Sequence, residues 1–202
     1  MKKIFCLLAV ICLMLSPVLA LAVDYDNYGI YANEDGSCGF AYPDGWMVLS
    51  KENLDALWAQ AQKMGDEEFQ AIMENARPQM EELGMIMLMN ETMESNISVI
   101  RQEMGMAITP EALLASVPMI QEQLAASLGN VQFAQEPSLV EIEAGQAMLI
   151  PYVYEMLDRQ LMGVQAYVGV GTGLYTFTLT ANPSDEDAFS VFGFVLGSAL
   201  LQ

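Results

Sequence analysis

The sequence contains no histidine among its 202 residues. That absence excludes the Ser-His and Cys-His nucleophile systems, the usual zinc sites and the commonest general base. Cysteine is nearly as scarce. Cys6 and Cys12 lie in the N-terminal apolar run, so Cys38 is the one cysteine that follows it. A single cysteine cannot form an intramolecular disulfide, and we interpret Cys38 as a small packed residue of a core that must supply the stability.

The first 22 residues have the three-part layout of a secretory signal peptide. A lysine pair begins the segment, an uncharged apolar run covers 4–15, and Ala20 and Ala22 are the small residues of a cleavage site. The run is too short to span a bilayer, which needs about 20 residues. Neither of its cysteines follows a small residue, as lipid anchoring would require. We expect cleavage after Ala22, export to the periplasm, cell envelope or medium, and a mature chain, 23–202, that forms one domain without a transmembrane segment.

Basic residues are also rare. Five lie beyond residue 22, against 26 acidic residues, so the net charge of the mature chain is five minus 26, that is −21. Such a surface repels phosphate backbones and anionic lipid headgroups, which disfavours nucleic-acid and peripheral membrane binding. The pattern is typical of an acidic exported protein. Binding of cations or of a basic partner is the alternative.

The most fold-specific stretch is Phe40-Ala41-Tyr42-Pro43-Asp44-Gly45-Trp46. It predicts a strand, a Pro-Asp-Gly turn and a second strand opened by Trp46, which we expect to anchor the core. The segment Tyr28–Tyr31 is predicted to form a hairpin with Cys38–Tyr42. We interpret the whole region as the first hairpin and corner of a sheet.

A helical period follows and predicts an insert at about 50–84, with Ser50 as its N-cap. Gly65 should end a first helix, Asp66 should cap a second, and Pro78 should break or restart it before Gly84 ends the insert. The apolar stripe that would face the core consists of Leu54, Leu57, Trp58, Ala61, Phe69, Ile72, Met73 and Met80.

The rest of the chain predicts a helix between two groups of strands, and a last helix. Met85–Met89 and Asn96–Glu103 pair as strands, and Thr109-Pro110-Glu111 starts a helix that runs to Gly129 with a kink or split at Pro118. Strands are then predicted over 131–134, 139–143, 146–156, 160–170 and 174–181. An acidic cap at 184–187 precedes the last helix, Ala188–Leu201.

This order of elements, with the Phe40–Trp46 stretch and the ending Leu174–Ala181 plus Pro183–Asp187, resembles the PsbP/Mog1-like α/β/α sandwich group. The resemblance implies an α+β fold with a central antiparallel sheet flanked by helices, and usually no catalysis. Similar proteins assist photosystem II in plants and cyanobacteria, and a fungal relative binds a small GTPase, but no residue here supports either role. The long insert and the terminal helix without a charged face depart from the pattern.

Methionine is the first candidate for chemistry, with 16 in the chain and a close set at Met85, Met87, Met89 and Met93. Thioethers bind Cu(I), so an exported methionine cluster could carry copper. We favour a core role, because alternate apolar residues on a strand are typical of a buried face and methionine fills irregular cores. On that interpretation Met85, Met87 and Met89 share one face, and Ile86 and Leu88 the other.

The acidic residues and the glycines are each better explained by structure than by chemistry. Asp185, Glu186 and Asp187, with Asp24 and Asp26, could bind Ca²⁺, but a helix first turn favours acids without any ion. A carboxylate pair could support hydrolysis. With 26 carboxylates some pairs will lie close together in any case, so proximity alone does not indicate a catalytic site. Gly169, Gly171 and Gly173 predict a hairpin turn, since they join two strands.

The last helix is apolar on nearly all sides, with Gly193 and Gly197 four residues apart. That pattern indicates either two buried faces within the chain or a contact with a homodimer or protein partner. We therefore interpret the protein as a non-enzymatic exported domain that binds a protein partner or the envelope. The alternative is a small-ligand or cation (Ca or Cu) binding module, and an enzyme comes third. We assign no catalytic, cofactor-binding or metal-binding residue and no cofactor.

Overall fold

The computed structural model describes residues 27–64, 67–156 and 158–202, and these form eleven strands and four helices. In chain order the elements are β1 (Tyr28–Ala32), β2 (Cys38–Pro43), β3 (Trp46–Leu49), α1 (Leu54–Met64), α2 (Glu67–Leu83), β4 (Ile86–Asn90), β5 (Asn96–Glu103), α3 (Pro110–Leu128), β6 (Val131–Phe133), β7 (Ser138–Ile142), β8 (Gly145–Met156), β9 (Arg159–Val170), β10 (Gly173–Ala181), α4 (Glu186–Gly197) and β11 (Leu200–Leu201). The predicted signal peptide lies outside the described residues.

The strands form two antiparallel sheets. The small sheet has the order β1-β2-β11. The large sheet has the order β3-β4-β5-β10-β9-β8-β6, and β7 pairs with the other half of the edge of β8. The predicted antiparallel α+β fold is confirmed, as are the hairpins β1–β2, β4–β5 and β9–β10.

Helices cover both faces of the large sheet, which makes an α/β/α sandwich. On one face α4 packs against β10, and the small sheet covers the opposite side of α4 through β2. On the other face the pair α1–α2 packs over β3 and β4, and α3 packs over β8 and β9. The alternation of β10 supports this arrangement, because Tyr175, Phe177 and Leu179 are fully buried on the α4 side.

The stretch Phe40–Trp46 differs from its predicted role in one respect. Its turn carries the chain from the small sheet to the large sheet, so β2 and β3 do not pair. The reason is that β2 already has a partner on each edge, β1 on one and β11 on the other. Gly45 takes a φ of 83°, the left-handed conformation that the turn required. Trp46 is partly buried against the core.

The predicted break at Pro78 is wrong, and of the two alternatives predicted at Pro118 the split is wrong while the kink stays a prediction. Pro78 lies inside the single helix α2, and Pro118 lies inside the single helix α3. In α2 the buried residues Met73 and Met80 lie on either side of the proline, so packing of one continuous face outweighs a lost backbone hydrogen bond. The confirmed parts of these helices include the Thr109 cap, whose Oγ1 accepts from the Ala112 amide at 3.3 Å.

The insert also begins later than predicted. Helix α1 starts at Leu54, after a turn in which Asn53 Oδ1 accepts from the Ser50 amide at 2.8 Å. The Asn53 side-chain amide in turn donates to the Val48 carbonyl at 2.9 Å, which fixes the exit from β3. The predicted stop at Gly65 and cap at Asp66 lie outside the described residues, and α2 ends at Leu83, immediately before Gly84, as expected.

The last predicted helix is too long. Helix α4 ends at Gly197, and Leu200–Leu201 form β11, which pairs with Gly39 and Cys38 of β2. The physical reason is that pairing satisfies the second backbone edge of β2, which a continued helix would have left open. The acidic cap is confirmed, since Asp185 Oδ1 accepts from the Ala188 amide at 3.1 Å.

Replacing Tyr175 by phenylalanine should loosen the attachment of the small sheet. The Tyr175 hydroxyl lies 2.8 Å from the Ser37 carbonyl and 2.7 Å from the Gln202 carbonyl, so it links β10 to the β1–β2 hairpin and to the end of the chain. We expect Tyr175→Phe to lower the free energy of unfolding by about 0.5–1.5 kcal/mol, because the Gln202 carbonyl loses the hydroxyl donor and the Ser37 carbonyl keeps only the Gln202 amide. Urea unfolding measures it, with Tyr28→Phe as the exposed control; equal midpoints would contradict the prediction.

Candidate functional site

The apolar terminal helix is explained within the chain. Five of its side chains are buried, and they face β10 on one side and β2 on the other: Ala188, Val191, Phe192, Val195 and Leu196. Gly197 is exposed and Gly193 is partly buried. The observation supports the first of the two predicted alternatives, burial on two intramolecular faces. The homodimer contact through this helix stays a prediction.

An exposed apolar surface lies one layer further out, on the outer face of the small sheet. The register pairs Ile30 with Ala41, Ala32 with Gly39, and Leu200 also with Gly39, so their side chains share the side of the sheet that faces away from α4. Tyr28 does not follow this alternation, because its ring contacts Phe194 of α4, with the ring centroids 6.2 Å apart. We call this surface the outer apolar face and define it by Ile30, Ala32, Ala41 and Leu200.

Exposure of the outer apolar face is high for side chains of this kind. Ile30 is 74% exposed and Leu200 is 59% exposed. No residue of the face carries a charge. Scattered exposed apolar residues are ordinary, but a contiguous apolar area with a polar rim marks a binding surface.

Carboxylates border this face at both ends of the β1–β2 hairpin. Glu34 and Asp35 lie in the turn that joins the two strands, and Asp44 lies at the opposite end; all three are exposed. The Asp35 carboxylate accepts from the Ser37 amide at 2.9 Å, and this hydrogen bond lowers the pKa of Asp35. The stretch 27–45 contains no lysine or arginine, but the charge of Arg101, on β5, also lowers the pKa of Asp35. With Glu34 and Asp44, the surface still combines apolar side chains with a net negative charge.

Sequence reasoning predicted the strand at Tyr28–Tyr31 but missed this surface. The alternation of exposed and half-buried residues along β1 was visible as a strand signal only. Leu200 was assigned to a helix, and nothing local indicated that the chain end would return beside β2. One signal in the sequence could have indicated the surface: the stretch 28–32 is apolar and uncharged within a strongly acidic chain.

Cys38 lies on the inner side of β2, where it is 3% exposed and packs in the core below α4. Burial raises the pKa of its thiol to about 12, with a smaller contribution from the Asp35 carboxylate. The thiolate is the reactive form of cysteine, so this thiol is inert at neutral pH. The interpretation as a small packed residue is supported.

The thiol of the folded mature protein should resist labelling. At pH 8 we expect 5,5′-dithiobis(2-nitrobenzoic acid) to react with less than about a tenth of Cys38 in minutes, because the group is buried and protonated. In 6 M guanidinium chloride the same sample should release one equivalent of chromophore per mature chain. Rapid stoichiometric reaction without denaturant would contradict the burial of Cys38.

Seven methionines meet in one cluster between the α1–α2 pair and the large sheet, which we call the methionine cluster: Met47, Met73, Met80, Met85, Met87, Met89 and Met93. Ile86 and Leu88 pack in the opposite core, below α4. The predicted division of Met85–Met89 between two faces is therefore confirmed. Met87 and Met93 are partly buried, whereas Met85 and Met89 are buried.

Carboxylates do not converge in the described part of the chain. Within 27–64, 67–156 and 158–202, no group of three or more histidine, cysteine, aspartate or glutamate side chains could hold a metal ion. Asp185 caps α4 and also accepts a hydrogen bond from the buried Ser95 hydroxyl. Asp24 and Asp26 lie outside the described residues. Gly171 and its neighbours form the β9–β10 turn, as predicted.

One open hollow lies beside the edge where β6, β8 and β9 meet, with a volume of about 180 Å³. Pockets for small ligands usually measure ≈ 300–1,000 Å³ and are largely apolar, so this hollow is small for that purpose. Its lining is mainly polar: Asn130, Val131, Gln132, Val153, Tyr154, Glu155 and Gln160.

No family model matches the chain and no curated protein is similar to it in sequence. Among solved structures, the solution structure of cyanobacterial PsbP (CyanoP) from Synechocystis sp. PCC 6803 is similar over 89% of this chain and 95% of that chain, with a TM-score of 0.56 and 16% identity. A crystal structure from Bacteroides thetaiotaomicron VPI-5482 is similar over 86% of this chain and 48% of that chain, with a TM-score of 0.49 and 11% identity.

The fold and its layers define the class of protein first: an α+β sandwich in which helices flank a mostly antiparallel sheet. The likeness to CyanoP over nearly the whole of both chains then identifies the fold as PsbP-like. The resemblance drawn from the sequence is confirmed at this level. None of the described helices is both long enough and apolar enough to cross a membrane.

Proposed function

We propose that this protein is an exported, non-catalytic domain that binds a partner protein through the outer apolar face. The observation that carries the proposal is the exposure of Ile30 and Leu200 on one side of the small sheet. Water contact with a contiguous apolar surface is unfavourable, and a binding partner removes it. Packing supports the surface from behind, because α4 and the small sheet share one core.

Charge supports a protein partner over the other classes. The mature chain carries a net charge of five minus 26, or −21, and carboxylates border the surface at Glu34, Asp35 and Asp44. Nucleic acids and anionic lipid surfaces are repelled by such a field. A protein with apolar and basic side chains fits both properties of the surface.

Export is part of this proposal and rests on the N-terminal layout. A lysine pair, an apolar run and the Ala20 and Ala22 positions support cleavage after Ala22. N-terminal sequencing of the protein recovered from outside the cytoplasm should begin at Val23. An uncleaved chain that stays in the cytoplasm would remove export from the proposal.

Site-specific photo-crosslinking tests the binding surface. We would place p-benzoylphenylalanine at position 30 and, as the control, at position 106, because Met106 is similarly exposed at 69% but lies outside the outer apolar face. Irradiation of producing cells should give a discrete protein adduct from position 30 and none from position 106. Equal adducts from both positions, or none from position 30, would count against this surface as a binding site.

The methionine cluster favours a second candidate, Cu(I) binding. Seven thioethers are gathered in one place, and Met87 and Met93 are partly open to solvent. Soft thioether ligands select Cu(I). Titration under reducing, anaerobic conditions should raise the melting temperature, and Met87→Leu with Met93→Leu should abolish the shift. An unchanged melting temperature and no bound copper would end this candidate and leave a methionine core.

A further inference from the structure

Strand β1 has one backbone edge without a partner strand among residues 27–64, 67–156 and 158–202. The ends of the hairpin show which edge this is. The Asn33 amide donates to the Cys38 carbonyl at 3.0 Å, and the Asp44 amide donates to the Asn27 carbonyl at 3.5 Å. Opposite residues of an antiparallel pair alternate between bonded and non-bonded pairs. Odd-numbered residues 27–33 therefore bond to β2, and the amides and carbonyls of Tyr28, Ile30 and Ala32 point to the open side.

The bonding on the far side of β2 agrees with this assignment. Ala41 is opposite Ile30, and its amide donates to Ser198 Oγ at 2.9 Å, away from β1. The pair Ile30–Ala41 is thus non-bonded between the two strands. Two residues of the outer apolar face, Ile30 and Ala32, therefore supply open backbone groups, together with Tyr28.

This edge lacks the features by which proteins usually protect an open strand. Edge strands are commonly blunted by proline, lysine, a bulge or extreme shortness. Strand β1 has five residues, Tyr-Gly-Ile-Tyr-Ala, without proline or charge, and pairs with β2 in continuous register. Among the other edge strands, β11 has two residues, β6 has three, β7 carries Glu141, and β3 has four residues, none of them exposed.

Charge at the two ends of the edge restricts what can pair there. Strand β1 spans roughly 17 Å at about 3.4 Å per residue. Glu34 and Asp35 follow it directly, and Asp44 lies opposite Asn27 at its start. An added strand of about five residues would place one flanking end beside Glu34 and Asp35, and the other end two strand spacings, or about 10 Å, from Asp44. Lysine or arginine is favoured at both ends, and acidic residues are repelled.

We propose that β1 binds an extended segment of the partner protein, with alternate apolar side chains and basic residues at both ends, as a fourth strand of the small sheet. The inference rests on the proposed function and names the partner's chemistry. Main-chain hydrogen bonds to Tyr28, Ile30 and Ala32 provide affinity, and the apolar side chains rest beside the outer apolar face. The flanking cations provide selectivity and faster association.

A second copy of this chain fits the edge less well. Antiparallel pairing of β1 with β1 of another copy, centred on Ile30, would bring Glu34 and Asp35 of one copy near Asp44 of the other. It would also join two chains of charge −21, which repel each other. Charge complementarity therefore favours a basic segment over self-association.

The test uses the mature protein and a fluorescein-labelled peptide, Lys-Lys-Val-Thr-Ile-Thr-Val-Lys-Lys, with the same peptide bearing glutamate in place of lysine as its control. Fluorescence anisotropy should show saturable binding of the basic peptide, weakened in 0.5 M NaCl, and none of the acidic peptide. Sedimentation velocity on the same samples reports any dimer. If p-benzoylphenylalanine at position 30 crosslinks to the N-terminal residues of the same chain, those residues cover the edge.

Variants at position 30 separate the strand edge from the apolar face. Ile30→Pro removes an amide of the open edge but none of the hydrogen bonds to β2, so the hairpin should persist while affinity falls at least about tenfold. Ile30→Thr keeps the amide and should lose less than about threefold. Ile30→Lys keeps the amide but repels the basic peptide, so its affinity should fall as well. This variant replaces Ile30→Pro in the test if the proline variant does not fold. Met106→Thr should bind normally.

The outcomes separate the two proposals. Peptide binding that is lost in Ile30→Pro and retained in Ile30→Thr supports strand addition. Strand addition is overturned if Ile30→Pro binds the basic peptide as well as the unchanged protein does, or if the acidic peptide binds as well as the basic one. It is also overturned if no binding is seen at about 1 mM peptide, if a dimer competes with the peptide, or if the chain's own N-terminus covers the edge. An adduct in cells from p-benzoylphenylalanine at position 200, on the same face, that survives Ile30→Pro would leave the proposed function standing and reject only the edge.

Discussion

Phe192→Ala is expected to lower the free energy of unfolding by about 3–5 kcal/mol. Phe192 is 2% exposed and lies on α4, in the layer between the two sheets. Its removal leaves a cavity in a layer held from both sides, which limits how far the neighbours can collapse into the space. A loss of this size is a large part of the ordinary stability of a domain, which is about 5–15 kcal/mol.

Chemical unfolding followed by circular dichroism measures this loss. Met106→Ala is the matched control, because Met106 is 69% exposed and its truncation should change stability by less than about 0.5 kcal/mol. The small sheet depends on α4 for its inner face, so the outer apolar face should be disturbed in the Phe192 variant. A change below 1 kcal/mol would show that α4 is not held between the two sheets.

Alkaline pH is expected to destabilise the protein strongly, with the loss beginning near pH 9 and continuing to about pH 12. Burial raises the pKa of Cys38, Tyr31 and Tyr167 to about 12 in each case, and it raises that of Tyr152 as well. All four groups are neutral when protonated, so the folded state holds their protons more tightly than the unfolded state does. Their contribution is complete below the unfolded pKa and is lost as pH rises through the folded pKa.

The size of this loss follows from linkage. Each fully buried group contributes up to about 1.4 kcal/mol per pH unit between its unfolded and folded pKa values. Tyr31 is only half-buried, and the Glu52 carboxylate adds to its shift, so solvent screening makes its share smaller. Together the groups should lower the unfolding free energy by several kcal/mol at pH 12 relative to pH 8.

Urea midpoints measured from pH 7 to pH 11.5 at constant ionic strength check this dependence. Absorbance at 295 nm should show the buried tyrosines ionising together with unfolding. Tyr167→Phe provides the control, because it removes one raised pKa and should make the decline less steep, at some cost in the Tyr167–Gln165 hydrogen bond. A midpoint that stays constant to pH 11.5 would contradict the assignment of these groups to the core.

Much of the fold could be predicted because its signals are local. The β9–β10 hairpin follows from alternation on both sides of Gly171, and Thr109-Pro110 marks the start of α3 through a side-chain cap and a fixed φ. Met85–Met89 was divided correctly between two cores, because side chains of a strand alternate whatever the tertiary arrangement.

The failures share a physical cause. Local rules predict a break at Pro78 and allow a split at Pro118, yet continuous buried faces keep α2 and α3 unbroken. Leu200–Leu201 reads as the end of an apolar helix, and it becomes a strand because β2 has an open edge nearby. In each case, contacts between residues distant in the sequence outweigh local preference.

The candidate site shows the same division. The sequence alone determined the acidic charge, the lack of histidine, a single cysteine after residue 22 and the apolar, uncharged strand at 28–32. The tertiary structure alone decided that this strand lies at the edge of a separate sheet, with Ile30 and Leu200 brought together on an open face. The reason is that alternation fixes which side chains share a side of a strand, whereas long-range pairing and packing fix which sides and edges meet solvent.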